Sequence, residues 1–402
     1  MDRKTCVKLF VAAGLMALLA AAAAVKAEAP TVVSKKHVVA YSQSGRFCGW
    51  PANNGIYIYG NEILAGFELG YYTDDGGLHH RDDSRPTYRS QIRSLDGGET
   101  WQPDPGGPPV PGNFSDDPAL PYPAEGFNFG HPDFGYTSHG SDFHITYNRG
   151  RDWIPGPNQG AYLMAKAPQF FSNQIMTCRP RHLVNGPTDC MFCCSAVEDG
   201  GSMDRAYLAR STDGKTIHFV SWIGPGDGTR SVMPDAVRIS NTKLLCALRR
   251  KSSSSSMWID IYVSNNDGQS WQFLSEVVRF SEENGNPPSL MRMKDGRVVC
   301  AYGDRDNPSI RARVSEDEGT AWSDEIILRD DADGPDIGYC QTVQRPDGKI
   351  VTVYYYRTRQ RPENFIGATI WELEQVSTAD FNADGVINYL DFAIFAEDEG
   401  IF

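Results

Sequence analysis

Ser94-Leu95-Asp96-Gly97-Gly98-Glu99-Thr100-Trp101 returns with small changes as Ser264-Asn265-Asn266-Asp267-Gly268-Gln269-Ser270-Trp271 and Ser315-Glu316-Asp317-Glu318-Gly319-Thr320-Ala321-Trp322. A shortened form is Ser211-Thr212-Asp213-Gly214-Lys215-Thr216, and a looser copy is Thr146-Tyr147-Asn148-Arg149-Gly150-Arg151-Asp152-Trp153. The starts at 94, 146, 211, 264 and 315 give a period of about 50 to 65 residues, which marks a repeat architecture. Each copy suits a β-hairpin turn: Asp or Asn caps backbone amides, Gly takes positive φ, and Trp packs back on the sheet.

The surrounding material is strand-like. Ile56-Tyr57-Ile58-Tyr59, Ile259-Asp260-Ile261-Tyr262-Val263, Arg297-Val298-Val299-Cys300-Ala301-Tyr302 and Lys349-Ile350-Val351-Thr352-Val353-Tyr354-Tyr355-Tyr356 are β-rich runs between turn signals. The boxes resemble the Asp boxes, or BNR repeats, of the sialidase superfamily. One four-stranded sheet per repeat, arranged radially, is a β-propeller, and the roughly 345 residues available hold about six blades. The expectation is therefore an all-β, six-bladed β-propeller over 30–376, followed at 378–402 by a short helical calcium-binding segment.

Residues 1–27 read as a secretory signal, with Arg3, Lys4 and Lys8 ahead of an apolar run from Leu9 to Ala24 and a small-residue cleavage site at Val25-Lys26-Ala27. The protein is then secreted or periplasmic, and the apolar run is short for a membrane span. Removing the net +3 of this segment takes the formal charge of −13 to about −16. Such acidity argues against nucleic acid or an anionic membrane as partner, while a local Arg cluster still permits an anionic substrate. Cys178, Cys190, Cys193 and Cys194 lie close together and read as one or two disulfides, with a metal site at Cys190-x-x-Cys193 as the rival.

Near the C-terminus, Asp380, Asn382, Asp384, Asn388 and Asp391 supply side-chain oxygens at positions 1, 3, 5, 9 and 12 of a twelve-residue loop, and Val386 supplies a carbonyl at position 7. Gly385 at position 6 permits the sharp turn. The loop resembles one half of a dockerin module. That resemblance implies bound Ca2+ and a cohesin-like partner, with no cofactor for catalysis.

The sialidase resemblance also implies a site. That family holds its substrate's carboxylate with three arginines, attacks the anomeric carbon with a tyrosine helped by a carboxylate, and uses an aspartate as acid/base. Carried onto this sequence, Tyr339 in Asp336-Ile337-Gly338-Tyr339 matches the nucleophile. Asp235 falls where its helper stands, and Arg46, the Arg249-Arg250 pair and Arg311, with Arg305 as rival, match the arginines. Asp82 or Asp83 takes the acid/base role, or His79 or His80 instead. The implied function is an exported glycoside hydrolase acting on a terminal acidic sugar of a glycan or polysaccharide. Two alternatives stand beside it: a non-catalytic carbohydrate-binding or scaffold propeller, and a glycosidase or lyase on another polysaccharide. Convergence of the arginines on Tyr339 discriminates between them.

Overall fold

The computed structural model describes residues 28–104, 126–139, 142–155, 177–197, 204–252, 256–281 and 285–375, with Ala393. The expected leader at 1–27 and the calcium ligands Asp380, Asn382, Asp384, Val386, Asn388 and Asp391 lie outside the described residues.

The chain enters as β1 (Val32–Tyr41) and then builds a first sheet from β2 (Arg46–Gly49), β3 (Ile56–Tyr59), β4 (Glu62–Tyr71), β5 (Tyr88–Ser94) and β6 (Gln102–Pro103). Its innermost strand is broken: β2 and β3 both pair with β4, separated by a 3-10 turn at Pro51–Asn53. A three-stranded sheet follows, from β7 (Gly135–His139), β8 (Asp142–Thr146) and β9 (Ile154–Pro155). Three antiparallel four-stranded sheets come next: β10 (Thr177–Val184), β11 (Cys190–Val197), β12 (Asp204–Ser211) and β13 (His218–Ile223); β14 (Arg230–Arg238), β15 (Leu244–Lys251), β16 (Met257–Ser264) and β17 (Gln272–Arg279); and β18 (Ser289–Arg292), β19 (Val298–Asp304), β20 (Ser309–Ser315) and β21 (Ile326–Arg329). The last sheet is β22 (Gly338–Gln344), β23 (Ile350–Thr358), β24 (Arg361–Leu373) and then β1, so the N-terminal strand closes the ring.

The architecture is all-β and propeller-like, but the expected count of six four-stranded blades is corrected to five complete blades among the described residues. The sheet β7–β9 contributes only three strands. All five boxes join a sheet's last two strands in chain order, as at β5–β6, β12–β13 and β20–β21. The closing blade has no box because its outermost pair, β24 and β1, is not joined by a chain turn.

Box chemistry explains the turns. Ser264 Oγ accepts the Gly268 amide at 2.8 Å, and Asn266 Oδ1 accepts the Ser270 amide at 3.0 Å. In the Ser94 box, Gly98 and Thr100 bond to Ser94 and Asp96 in the same way. Position 4 of the box is left-handed even without glycine, at Arg149, Asp267 and Glu318 (φ 59°, 55° and 56°), because these hydrogen bonds over-determine the loop. The tryptophan donates into its own box or the preceding blade: Trp101 to Gly98 O at 2.9 Å, Trp271 to Ser221 Oγ at 3.0 Å, Trp322 to Ser275 Oγ at 3.1 Å.

Between blades the core is apolar, with five clusters of buried side chains among the described residues. Around the axis the contacts are polar. Arg181 on β10 donates to both oxygens of Asp235 on β14, at 2.5 and 3.3 Å, and Asp235 Oδ2 accepts the Leu290 amide of β18 at 3.0 Å. Asn286, just before β18, accepts the Tyr339 amide of β22, and Gln341 of β22 donates to Ala52 O in the first sheet. Tyr57 of β3 accepts the Tyr136 amide of β7 at 3.1 Å. Neighbouring sheets are thus joined by hydrogen bonds at their inner edges.

His182, next to Arg181, packs its ring against Phe134, Tyr136 and Tyr57. Burial, with the Arg181 cation beside it, lowers its pKa to about 4. The unfolded chain therefore takes up a proton at His182 near the ordinary histidine pKa of about 6.5, which the folded protein refuses. Stability is expected to fall as the pH drops from about 6.5 toward 4. A series of chemical denaturation curves across that window checks this, and the His182→Gln variant is expected to lose this part of the slope.

Candidate functional site

Where the inner strands meet, three residues other than glycine adopt left-handed backbone: Trp50 after β2, Met233 in β14 and Tyr339 in β22 (φ 52°, 56° and 51°). The β14 and β22 ladders shift register at these points, between Val232 and Asp235 and between Gly338 and Gln341. Such bulges re-aim a side chain out of the pleat. At Tyr339 the conformation is held from behind. Asn286 is fully buried and its Oδ1 accepts the Tyr339 amide at 3.0 Å. Gly338 (φ 108°) leaves room for that carboxamide, since a Cβ there would lie 2.2 Å from Asn286 Oδ1.

The half-buried Tyr339 ring stands 6.4 Å from Trp50 and 6.0 Å from Tyr355, centroid to centroid. Two cations flank it. Arg305, buried just beyond β19, lies 5.9 Å from the Tyr339 centroid and donates to Ile337 O at 3.3 Å and to the Tyr355 hydroxyl at 2.6 Å. Arg249 on β15 stands near enough to the Tyr339 phenol for the two to interact electrostatically, and its hydrogen-bonding contacts are soft: Met233 Sδ at 3.9 Å and Met257 Sδ at 3.8 Å. Among the described residues, no carboxylate forms an ion pair with Arg249 or Arg305. Burial lowers the pKa of Arg249, and the Tyr339 phenol opposes that while Arg305 and Arg230 add repulsion. A guanidinium in such surroundings gains from an arriving anion.

Beside this pair lies a carboxylate with two imidazoles. Asp336 is fully buried, and its Oδ1 accepts from His79 Nδ1 at 2.8 Å and from the Tyr355 hydroxyl at 2.9 Å. Its Oδ2 accepts the His80 amide at 2.9 Å. Burial pushes the Asp336 pKa up, but the His79, His80 and Tyr355 hydrogen bonds outweigh it and hold the carboxyl below the usual aspartate value. With Nδ1 committed to Asp336, His79 is fixed as the tautomer whose Nε2 is open. That ring meets Trp50 edge-on at 5.3 Å. The His80 ring is tied between Asp336 and Arg357.

The structure brings together Tyr339, Arg249 and Arg305 from the expected set, with His79 packed against Trp50. It places the others elsewhere. Arg46 bonds Gly70 O and Leu69 O and stacks 4.2 Å over Tyr71. Arg250 turns to the other face of β15, toward Tyr262 and Asp227. Arg311 pairs with Glu325 and Asp304 inside a cleft of about 580 Å³ between the β14–β17 and β18–β21 blades. Asp82 is capped onto Ser84, and Asp83 pairs with Arg81, both at the surface. Asp235 has both oxygens engaged by Arg181 and Leu290, so it serves as a clasp between inner strands.

The sequence reading missed Asn286, Trp50, Tyr355 and the role of Asp336. Only Asp336 carried a signal, its place in the quoted Asp336-to-Tyr339 stretch. The cysteine expectation is also revised. Cys194 is disulfide-bonded and stands opposite Cys178 in the ladder, whereas Cys190 and Cys193 are buried thiols. Among the described residues no cluster of metal-ligating side chains forms.

A BNR repeat-like domain model matches residues 141–352, more than half of the chain. No curated protein matches it. Among solved structures, a Dyadobacter fermentans protein of unknown function is similar at TM-score 0.63 and 17% identity, over 85% of this chain and 100% of its own. The Hadza microbial sialidase Hz136 is similar at TM-score 0.55 and 14% identity, over 80% of this chain and 65% of its own. A GH93 α-L-arabinofuranosidase of Fusarium graminearum, solved with arabinobiose, is similar at TM-score 0.51 and 12% identity, over 86% and 96%. At these identities the likeness is one of fold.

Proposed function

The chain belongs to the BNR repeat-like domain family, and from that premise we propose that it is an exported retaining glycoside hydrolase that releases a terminal acidic sugar, sialic acid or a related acid, from a glycan. The observation that carries the reading is the pair Arg249 and Arg305, which flank Tyr339 with no carboxylate partner among the described residues. A sugar carboxylate fills that vacancy in charge, and planar guanidinium groups suit it because each presents parallel N–H donors.

In this reading Tyr339 attacks the anomeric carbon. A phenol is a suitable nucleophile for a centre already bearing a carboxylate, because a second anion would be repelled. The phenol proton passes to bulk water as Tyr339 attacks, and His79 Nε2 gives a proton to the glycosidic oxygen as the leaving group departs, its ring held by Asp336. Water then attacks the glycosyl-tyrosine, His79 takes its proton and is restored, and the departing Tyr339 oxygen recovers a proton from bulk water. Asp235, whose carboxylate is already clasped, takes no part in the proton transfer. Arg249, whose charge acts on the phenol, favours the developing phenolate as it attacks.

Fluorogenic acidic glycosides test this. The wild-type protein is expected to turn one over and Tyr339→Phe to lose at least about 100-fold in kcat/KM. Full activity in Tyr339→Phe overturns the assignment. A wild-type protein that binds acidic glycans without cleaving any supports the carbohydrate-binding propeller instead.

The reading extends to the C-terminal segment, where Asp380, Asn382, Asp384, Val386, Asn388 and Asp391 are proposed as the ligands of one Ca2+ and the segment as an attachment to a cohesin-like partner. Titration calorimetry of the full chain is expected to show one Ca2+ bound per molecule, a signal that Asp384→Ala removes. Equal heats for the two proteins count against the loop.

A further inference from the structure

Tyr355 of β23 is fully buried, yet its hydroxyl is shared between the two charged halves of the mouth. It accepts from Arg305 Nη2 at 2.6 Å and donates to Asp336 Oδ1 at 2.9 Å. Chemistry fixes both directions: a guanidinium only donates, an ionised carboxylate only accepts, and a phenol has one proton to give and lone pairs to receive with. Asp336 Oδ1 also accepts from His79 Nδ1 at 2.8 Å, so an unbroken chain of hydrogen bonds runs from Arg305 through Tyr355 and Asp336 to His79. Arg305 is held through Nε by Ile337 O and through Nη2 by Tyr355, and its Nη1 has no hydrogen-bond partner among the described residues. The Tyr355 ring is itself packed among Phe47, Trp50 and Tyr339, at centroid distances of 6.0, 6.5 and 6.0 Å.

We infer, resting on the reading of this mouth as a site for an acidic sugar, that Tyr355 is a positioning residue whose one hydroxyl ties the anion-holding guanidinium to the carboxylate and imidazole that deliver the proton. Being fully buried, Tyr355 acts through its two partners. It occupies Nη2 of Arg305 and so leaves Nη1 as the donor for a sugar carboxylate, and it shares Asp336 Oδ1 with His79 Nδ1. Both of its bonds involve a charged group in surroundings without water, and each polarises the other, so loss of the hydroxyl is felt at both ends of the chain.

Tyr355→Phe removes the hydroxyl and keeps the ring. Titration calorimetry is expected to show about a 10-fold loss of affinity for a carboxylated pyranose, the worth of a hydrogen bond to a charged group, and no change for its methyl ester. In an Arg305→Gln background the same substitution is expected to leave the acid-to-ester ratio where it was, because the group it positions is gone. With a fluorogenic acidic glycoside, Tyr355→Phe is expected to lower kcat through His79 as well as to raise KM, and a wild-type kcat contradicts the link to His79. A wild-type acid-to-ester ratio in Tyr355→Phe overturns the inference and leaves the hydrolase reading intact, and an additive loss in the Arg305→Gln background overturns it too. A wild-type protein that prefers the acid but cleaves no glycoside, and loses that preference in Tyr355→Phe, supports the inference and counts against the hydrolase reading. A wild-type protein without preference for the acid contradicts both. Denaturation curves check that Tyr355→Phe is folded. Should it not fold, NMR of the ligand-free Arg305→Gln protein decides: the His79 ring resonances, identified by their loss in His79→Gln, are expected to move although three hydrogen bonds separate the two residues. Unmoved resonances overturn the inference.

Discussion

Asp235 is gripped on one side by Arg181 and on the other by the Leu290 amide, and through it three successive inner strands are held in register around the axis. A propeller blade packs on its neighbours chiefly through apolar side chains, which set distance well and direction poorly. Directional hydrogen bonds at the inner edges supply what the apolar clusters lack. Asn286 bonded to Tyr339 and Gln341 bonded to Ala52 continue the same device into the next two sheets. Removing one partner of such a buried ion pair costs about 3–5 kcal/mol because the other charge is left without compensation.

That framework holds backbone conformations the chain would otherwise avoid. Left-handed Trp50, Met233 and Tyr339 each cost of order 1–3 kcal/mol, and all three lie at the mouth. Their reward is convergence. Met233 presents sulfur to Arg249, Trp50 packs against both His79 and Tyr339, and Tyr339 stands between two guanidinium groups. Asp336 offsets part of the charge from its buried position. The boxes lie between the last two strands of their sheets and serve architecture.

The boxes were legible because their interactions are local: a hydroxyl or carboxylate reaches amides two to four residues away, so the sequence alone displays the turn. The blade number was less legible, since the sheet with β7–β9 keeps its box and shows only three strands among the described residues. Tyr339 was found through its Gly338 neighbour, which the Asn286 contact requires. The arginines were harder. Arg249 and Arg250 are adjacent, and strand alternation sends one to the mouth and the other to Tyr262; residue order does not say which. Arg311 and Arg46 found carboxylate, carbonyl and aromatic partners within their own blades. Asp235 looked like a helper base and became a clasp, because its partners lie far away in sequence at Arg181 and Leu290.

The decisive property is an unbalanced positive charge at Tyr339, and ligand affinity reads it directly. Titration calorimetry with a carboxylated pyranose and its uncharged methyl ester is expected to show the acid binding about 10- to 100-fold more tightly, the worth of a charged hydrogen bond. Replacement of Arg249 by Gln should shrink that ratio toward one. Equal affinity of the wild-type protein for acid and ester would contradict the account.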